Sequence, residues 1–389
     1  MTPSESFVAE LCSRSFLPFW SFSSPLQKKR KELCDILVVC NNDIIIISVK
    51  DINISDHQDE RVQFERWQKK AVLSSIDQIF GAERFLDLAS EITLNDSVTK
   101  VTLPPKELRN IYRIAIAFGG QGKFPLETGQ YEKGFVHVFD EESTFAVFDE
   151  LDTITDFLNY IRAKERFLAG KRIFVPKEVD FLALYIETSL EFEANPDTVI
   201  IDQNLWKNYS ISEEYRDWHQ KIKMSYVWDE IVSQLHEFRI IQNKELAKRA
   251  DFERATRLIT LEPRINRLEL GITLIDAIEK RVRARMLKPL PGSNHTYVLM
   301  PLGEKNWIAK EKELQLRCMV ARYENREAPE VVGIAIGKGP DGHNSFDIAY
   351  FNIPELTDEI ITHIKLAKEE LGYFKSPVVS HSKDIRGKY

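Results

Sequence analysis

Apolar residues recur along this chain at two different spacings, and each spacing predicts one kind of element. Residues 4–14 and 60–86 carry apolar positions at helical spacing, and Ser4 is the predicted cap of the first helix. Two nearly continuous apolar runs, 35–39 and 44–50, flank an Asn-Asn-Asp turn and predict a hairpin that is buried on both faces. Strand-like runs at 111–118 and 134–140 follow, separated by a glycine-rich loop.

The rest of the chain changes from a helical to an alternating pattern. Helical spacing continues through 151–190 and dominates 205–286, which is rich in Glu, Lys and Arg. Alternating runs at 296–302, 314–323 and 330–339 predict strands, and an amphipathic helix follows at 355–371. The fold class expected is α/β. A chain of 389 residues exceeds the usual size of one core, and we predict three parts, 1–165, 166–290 and 291–389.

Composition narrows the class of protein. A formal net charge of -7, with 43% apolar and 29% charged residues, is typical of a globular protein and argues against a uniformly cationic coat. The four cysteines include no Cys-x2-Cys pair, so buried thiols in a reducing compartment are expected. No apolar run approaches 18 residues, and Glu5 and Glu10 interrupt the N-terminal segment, so we predict a cytoplasmic protein without membrane contact.

The hairpin places chemically useful side chains together. Asp35 begins one strand and Lys50 ends its neighbour, so pairing around the turn brings both to the open end. Ser48 and Lys50 project to one face because strand side chains alternate. Phosphodiester hydrolysis needs a divalent cation on oxygen ligands and a positive charge near the reacting phosphate. Asp35 is suited to the first task and Lys50 to the second.

These positions resemble the PD-(D/E)xK nuclease superfamily, and the resemblance covers roughly residues 1–140. In that superfamily a helix carries a Glu, one strand begins with Asp, and the next strand ends in Asp/Glu-x-Lys; here the positions are Glu10, Asp35 and Lys50. The resemblance implies a restriction-endonuclease-like αβββαβ core and a nuclease that uses Mg²⁺ or Mn²⁺ held by Glu10 and Asp35. It also implies DNA ahead of RNA as substrate, and a role in prokaryotic restriction or anti-phage defence.

The chain departs from the superfamily pattern at Ser48, where the motif has an acid. Some members are similar in lacking this acid and recruit another. In this sequence the acids available as substitutes are Asp51, Glu32 and Glu65. The helix after the lysine strand often adds polar residues to such sites, and of Lys70, Ser74 and Gln78, which share one helical face, Gln78 is the preferred candidate. The predicted site is therefore Glu10, Asp35, Ser48, Lys50 and Gln78.

Other motifs indicate less. The loops 118–124 and 336–344 are glycine-rich but lack the full phosphate-loop pattern, so we interpret them as ordinary connections. The eight histidines form no HExxH pair, which argues against a zinc hydrolase. The basic stretches 27–31 and 280–288 are candidate phosphate contacts, the first because it directly precedes Asp35. Asp152 and Asp156 are interpreted as acids at a helix N-terminus.

Two other functions compete with a nuclease. The first is a nuclease-fold protein that has lost metal binding through Ser48 and acts as a nucleic-acid-binding or protein-interaction module. The second is a nucleotide-handling hydrolase, which predicts a deep pocket at residues 118–124. Because the chain has no nucleotide-binding loop of its own, a partner ATPase or sensor is an expected companion, and a homo-oligomer is an open alternative.

Overall fold

The computed structural model describes residues 1–17, 19–27, 30–169, 172–174, 177–192, 198–236, 246–290, 293–303, 308–338 and 344–374. These residues form two compact units that divide at residue 217. Helices and strands alternate in both units, which confirms the α/β class. The predicted three-part division differs from this one, because 166–217 belongs to the first unit and 218–290 shares the second unit with the C-terminal region.

The first unit contains eight α-helical and ten strand segments among its described residues. Its helices are α1 (Pro3–Phe16), α2 (Glu60–Trp67), α3 (Ser74–Leu86), α4 (Glu141–Glu150), α5 (Ile154–Leu168), α6 (Glu178–Glu187), α7 (Leu205–Ser210) and α8 (Glu213–Lys221), the last of which crosses the division. Its strands are β1 (Ser21–Ser23), β2 (Ile36–Cys40), β3 (Asp43–Asp51), β4 (Glu91–Thr93), β5 (Lys100–Thr102), β6 (Asn110–Phe118), β7 (Gly129–Tyr131), β8 (Gly134–Phe139), β9 (Arg172–Phe174) and β10 (Thr198–Ile200).

The main sheet of this unit has the strand order β1-β2-β3-β6-β8-β7. The first three strands are antiparallel neighbours, whereas β3, β6 and β8 run parallel. The chain therefore runs from α1 through three antiparallel strands to the α2–α3 helical stretch and then to a parallel strand. This is the predicted order αβββαβ, with a short β4–β5 ribbon inserted before β6.

The hairpin is buried because helices cover both faces of the sheet. Ile44 and Ile46 of β3 pack with Ile76 and Ile79 of α3 in one apolar cluster. On the other face, aromatic rings of α1, α4 and α5 meet: Phe16, Phe148 and Phe157, with centroids 4.9–5.4 Å apart. Since strand side chains alternate, Ser48 and Lys50 lie on the same face as Ile44 and Ile46, towards α3.

Helix α1 begins earlier than the apolar spacing predicts. Thr2, not Ser4, is the cap: its side chain accepts from the Glu5 backbone amide, and the Glu5 side chain accepts from the Thr2 amide. Pro3 occupies the first helical position, where its fixed φ favours a helix and its missing N–H removes no helical hydrogen bond. This capping box fixes the direction of Glu5 at the start of α1.

The helix that carries Gln78 is continuous from α2 to α3 but passes through a π-helical turn at Gln68–Leu73. Trp67 anchors this turn, because its ring N–H donates to the Phe118 carbonyl at 3.3 Å. π-helical turns are rare and are often found at functional sites.

The second unit is built around a four-stranded sheet of order β11-β12-β13-β14. Its described elements are α9 (Tyr226–Gln234), α10 (Leu246–Thr260), α11 (Arg264–Glu279), β11 (Arg285–Met286), β12 (His295–Pro301), α12 (Lys310–Glu324), β13 (Glu330–Lys338), β14 (Asn344–Asn352) and α13 (Asp358–Leu371). The prediction of a strand at 314–323 is wrong. Leu314, Cys318 and Ala321 recur at helical spacing and pack against β12 and β13.

Among the described residues, no helix combines the length and apolar character needed to cross a membrane. All four cysteines, Cys12, Cys34, Cys40 and Cys318, are buried and free, as the sequence predicts.

Candidate functional site

Four of the five predicted site residues form one hydrogen-bonded network. Asp35, directly before β2, is 4% exposed, and its Oδ2 accepts from the Val49 amide at 2.6 Å and from Ser48 Oγ at 3.2 Å. Its Oδ1 accepts from the Gln78 amide nitrogen at 3.1 Å. Lys50 Nζ donates to Gln78 Oε1 at 2.8 Å. Gln78 therefore links the carboxylate to the ammonium group.

The orientation of the Gln78 amide follows from its neighbours. Its oxygen faces two donors, Lys50 Nζ and Ser48 Oγ at 3.1 Å, and its nitrogen faces a carboxylate. The reverse orientation would direct an NH₂ group at an ammonium group, which has no acceptor. Ser48 is fully buried and has one proton, so it donates to either Asp35 or Gln78 at a given moment.

Asp35 is a buried acid whose hydrogen bonds and neighbouring positive charge only partly offset the cost of burying its negative charge. Burial raises the pKa of Asp35, and the Val49 amide, Lys50 and Gln78 oppose that rise. The charge of Glu5 adds to the rise. Glu5 is therefore close enough to act on Asp35, and a cation between the two carboxylates would favour the ionised form of both.

Glu5 is the site residue that sequence reasoning missed. The first turn of α1 lies beside the end of β3, since Ser4 Oγ donates to Asp51 Oδ2 at 2.5 Å. Glu5 is 18% exposed in this turn. The available signal was Thr2-Pro3-x-Glu5, a capping-box pattern that places the Glu5 side chain at the helix start.

Glu10, the predicted α1 ligand, is not brought into the network. It is exposed on α1, and five residues of helix place it about 140° round the axis from Glu5. The helix presents its first turn, which carries Glu5, and not its middle to the end of β3.

The acids predicted as substitutes for the missing motif acid have other surroundings. Asp51 accepts from Ser4, Glu65 pairs with Arg61 at 3.1 Å, and Glu32 is exposed in a bridge to Leu26. On the face of the Gln78 helix, Lys70 and Ser74 are exposed, and Gln78 is the member of that trio that reaches the network.

The donor set is suited to a hard divalent cation. Mg²⁺ prefers oxygen ligands and is commonly held by one or two carboxylates and waters, and Mn²⁺ also takes oxygen ligands. Asp35 and Glu5 supply two carboxylates as metal ligands. The side-chain oxygens of Ser48 and Gln78 lie beside Asp35 and are also suitable ligand atoms. In the described part of the chain, no three His, Cys, Asp or Glu side chains converge. A bound ion would therefore rest on two acids, with Ser48 where a third would stand.

The glycine-rich loop after β6 approaches the same end of the sheet. Gly119 has a φ of +85°, and a Cβ there would lie 2.3 Å from the Ile52 carbonyl oxygen. A Cβ on Gly120 would lie 2.8 Å from the Trp67 ring. The loop leads to β7 and not to a helix, so it does not have the strand–loop–helix order of a phosphate loop. The other loop joins the paired ends Lys338 and Asn344, and residues 339–343 lie outside the described part.

The basic stretches are only partly described. Lys28 and Lys29 lie outside the described residues, and Arg30 and Lys31 are exposed. In the stretch 280–288, Lys280 pairs with Asp276 at 2.6 Å, and Arg285 pairs with the same acid. Part of this second basic charge is therefore already neutralised within the chain.

Comparison of the chain with protein-family models, with curated proteins and with solved structures found no match. The functional argument accordingly depends on the geometry of the network itself.

Proposed function

We propose that the first unit is a metal-dependent nuclease that hydrolyses phosphodiester bonds, with DNA as the expected substrate. The observation that carries the proposal is the bridge through Gln78, which joins a buried carboxylate and an ammonium group at one end of the sheet. The order of elements around it, αβββαβ, matches the order in which the resemblance to PD-(D/E)xK nucleases distributes these groups.

Each residue has a role that its surroundings support. Asp35 and Glu5 are the residues that would hold Mg²⁺ or Mn²⁺, because the first turn of α1, which carries Glu5, lies beside the end of β3 and Asp35 is hydrogen-bonded to Val49 and Ser48 of that strand. The bound metal would supply hydroxide near neutral pH and would polarise the phosphate. Lys50 places a positive charge beside the phosphate, and Gln78 orients the Lys50 ammonium group through a 2.8 Å hydrogen bond. Ser48 donates within the network and fills the place of the missing acid.

A second candidate is a non-catalytic nucleic-acid-binding or protein-interaction module with the same fold. The observation in its favour is that both Asp35 oxygens already accept hydrogen bonds from the chain itself. A carboxylate oxygen can accept more than one partner, so these bonds leave room for a metal ion. The two candidates therefore differ in a measurable property, cleavage in the presence of metal.

The test is cleavage of plasmid, linear duplex and single-stranded DNA, and of RNA, in Mg²⁺ or Mn²⁺. We expect Lys50→Ala and Asp35→Ala to lower the rate by at least about 100-fold, the scale of removing one electrostatic or acid–base group. Lys106→Ala is the matched control. Lys106 is exposed just before the start of β6, at the end of the sheet opposite to Lys50, so this variant should cleave DNA like wild type.

Equal cleavage by wild type and by both site variants would place the activity elsewhere. Metal-independent binding of DNA without cleavage by any of the four proteins would favour the non-catalytic module.

A further inference from the structure

A second concave site lies in the first unit, away from the Asp35 network. A cavity of about 400 Å³ is enclosed by the loop after β6, the start of α4, the last turns of α5 and the start of α6. This volume is within the range of small-molecule pockets, about 300–1,000 Å³. Its wall includes Lys123, Phe124, Asp140, Lys164, Leu168 and Phe181.

Most charges of the wall are already compensated. Lys164 donates to both oxygens of Glu178 at 2.5 Å, and Lys177 pairs with Glu142 at 2.8 Å. Asp140 caps α4 by accepting from the Ser143 amide. In contrast, no acid lies within ion-pair distance of the exposed Lys123 among the described residues. Among the described residues, Lys123 is thus the wall cation without an acidic partner, and Asp140 is the wall acid without a cationic partner.

The remainder of the wall is apolar and aromatic. Phe124 is held in place by Trp67 and Phe64, with ring centroids 5.5 and 5.4 Å away. Phe181 packs against Phe167 at 5.8 Å and is 1% exposed, so it supports the wall from the core without offering a free ring face. Leu126 and Leu168 add aliphatic surface. A planar aromatic group would find a stacking partner in Phe124, and its attached anion would find Lys123.

The cavity opens at the same end of the sheet as the Asp35 network. In the parallel ladders Lys50 lies beside Ala117, and Ile116 lies beside Phe139. Asp140 is therefore level with Lys50 and two strands away, about 10 Å at the usual strand spacing. Ligands of open α/β sheets commonly bind outside the carboxyl ends of parallel strands.

We propose that this cavity binds a nucleotide, with the base against Phe124 and the phosphate at Lys123. The same chemistry is available from a free mononucleotide or from a nucleotide of a nucleic acid strand whose neighbouring phosphate lies at Lys50. The second source deepens the nuclease proposal and depends on it. The first source does not, because a free nucleotide needs no cleavage to bind.

The experiment measures binding to the full chain by titration calorimetry in EDTA, so that cleavage does not enter the result. The probes are AMP, inorganic phosphate and a single-stranded oligothymidylate. Lys123→Ala removes the uncompensated charge, and Leu168→Trp fills the cavity. Lys106→Ala is the control, because Lys106 is exposed just before the opposite end of β6. Thermal melting identifies any variant that does not fold, and Lys123→Ala, at an exposed position, keeps the test valid if Leu168→Trp fails.

We expect saturable AMP binding, at least tenfold tighter than phosphate, that Lys123→Ala weakens at least tenfold and Lys106→Ala leaves unchanged. This result supports a free nucleotide. Tenfold weakening of oligothymidylate binding by Lys123→Ala, with no AMP binding, supports a strand nucleotide. The proposal is overturned if neither probe binds, if Lys123→Ala binds both probes like wild type, if a folded Leu168→Trp does so, or if phosphate binds as tightly as AMP. Because binding is measured without cleavage, each of these outcomes can be interpreted even if the protein proves not to be a nuclease.

Discussion

At the scale of single residues, the two acids of α1 differ in what they face. Glu5 acts on the charge of Asp35, whereas Glu10 is exposed farther along the helix. Substitution of Glu5 by Gln removes one of two carboxylates available to a metal ion, and the same change at Glu10 removes none. We expect Glu5→Gln to weaken Mg²⁺ or Mn²⁺ binding at least tenfold and Glu10→Gln to leave it unchanged.

The measurement is the rise in melting temperature with metal concentration, since a ligand that binds only the folded state stabilises it by mass action. Equal metal responses in the two variants would remove Glu5 from the site. A loss of response in Glu10→Gln alone would restore the ligand predicted from the sequence.

A second residue gives a pH prediction. Burial raises the pKa of Glu165 to about 7, against 4.5 for an unperturbed Glu, and its Oε1 lies 3.2 Å from His137 Nε2. A carboxyl group with a raised folded-state pKa binds protons more tightly when folded, so it lowers stability as pH rises from about 4.5 to about 7. Glu165→Gln should therefore stabilise the protein at pH 8, by about 1–3 kcal/mol, and should have little effect at pH 4.

Denaturant unfolding at the two pH values checks this, with the exposed Glu107→Gln as a control that should change neither value. Stabilisation by Glu165→Gln that is the same at pH 4 and pH 8 would show that the charge of Glu165 is not its source.

At the scale of elements, the loop after β6 packs closely against the end of β3, and the close contact is made at Gly119. Gly119 combines a φ of +85° with a would-be Cβ only 2.3 Å from the Ile52 carbonyl, whereas Gly122 has a φ of +65° and open space. Gly122→Ala should cost about 1 kcal/mol from backbone strain alone. Gly119→Ala should cost about 3 kcal/mol or more, because the backbone at Ile52 must also move.

Ile52 follows directly after β3, which carries Lys50, so Gly119→Ala should also lower the proposed nuclease activity more than Gly122→Ala does. Paired denaturation and cleavage assays test both effects. If the two alanine variants have the same stability, the close approach of the loop to Ile52 is not a constraint.

Also at this scale, the elements whose patterns are local were predictable. The hairpin of β2 and β3 and the helix from 60 to 86 follow from runs and spacings that the sequence displays directly. The strand predicted at 314–323 is instead part of α12, because alternation over ten residues also fits a helix whose buried positions recur at three and four. β1 was missed because three residues are too few to show a period.

At the scale of the whole molecule, the candidate site is assembled from positions far apart in sequence. Asp35, Ser48 and Lys50 were predictable because one hairpin brings them together, and Gln78 because it shares a helical face with polar residues. The capping-box pattern places Glu5 at the start of α1, but it does not show which part of α1 meets the sheet. The π-helical turn before Gln78 changes which side of the helix that residue lies on. The apolar spacing likewise does not predict this turn.

The second unit also has a buried polar network. Glu262 Oε1 lies 2.9 Å from His295 Nε2 and accepts from Tyr297 at 3.0 Å, and Glu262 Oε2 accepts from Asn266 at 2.6 Å. Arg267, 1% exposed, pairs with Asp229. Buried networks of this type are costly unless every member is satisfied, so breaking one of these contacts should destabilise the packing of α9, α11 and β12.

Because all four cysteines are buried, the folded protein should not react with thiol reagents. Cys34 has no exposed surface, and burial together with the neighbouring charges of Asp35 and Glu32 raises its pKa well above the ordinary value. Alkylation requires a solvent-accessible thiolate, so a reagent can reach Cys34 only when the strand next to Asp35 opens. The rate at which Cys34 is alkylated therefore reports how often this strand opens by local unfolding. No label has to be introduced for this measurement.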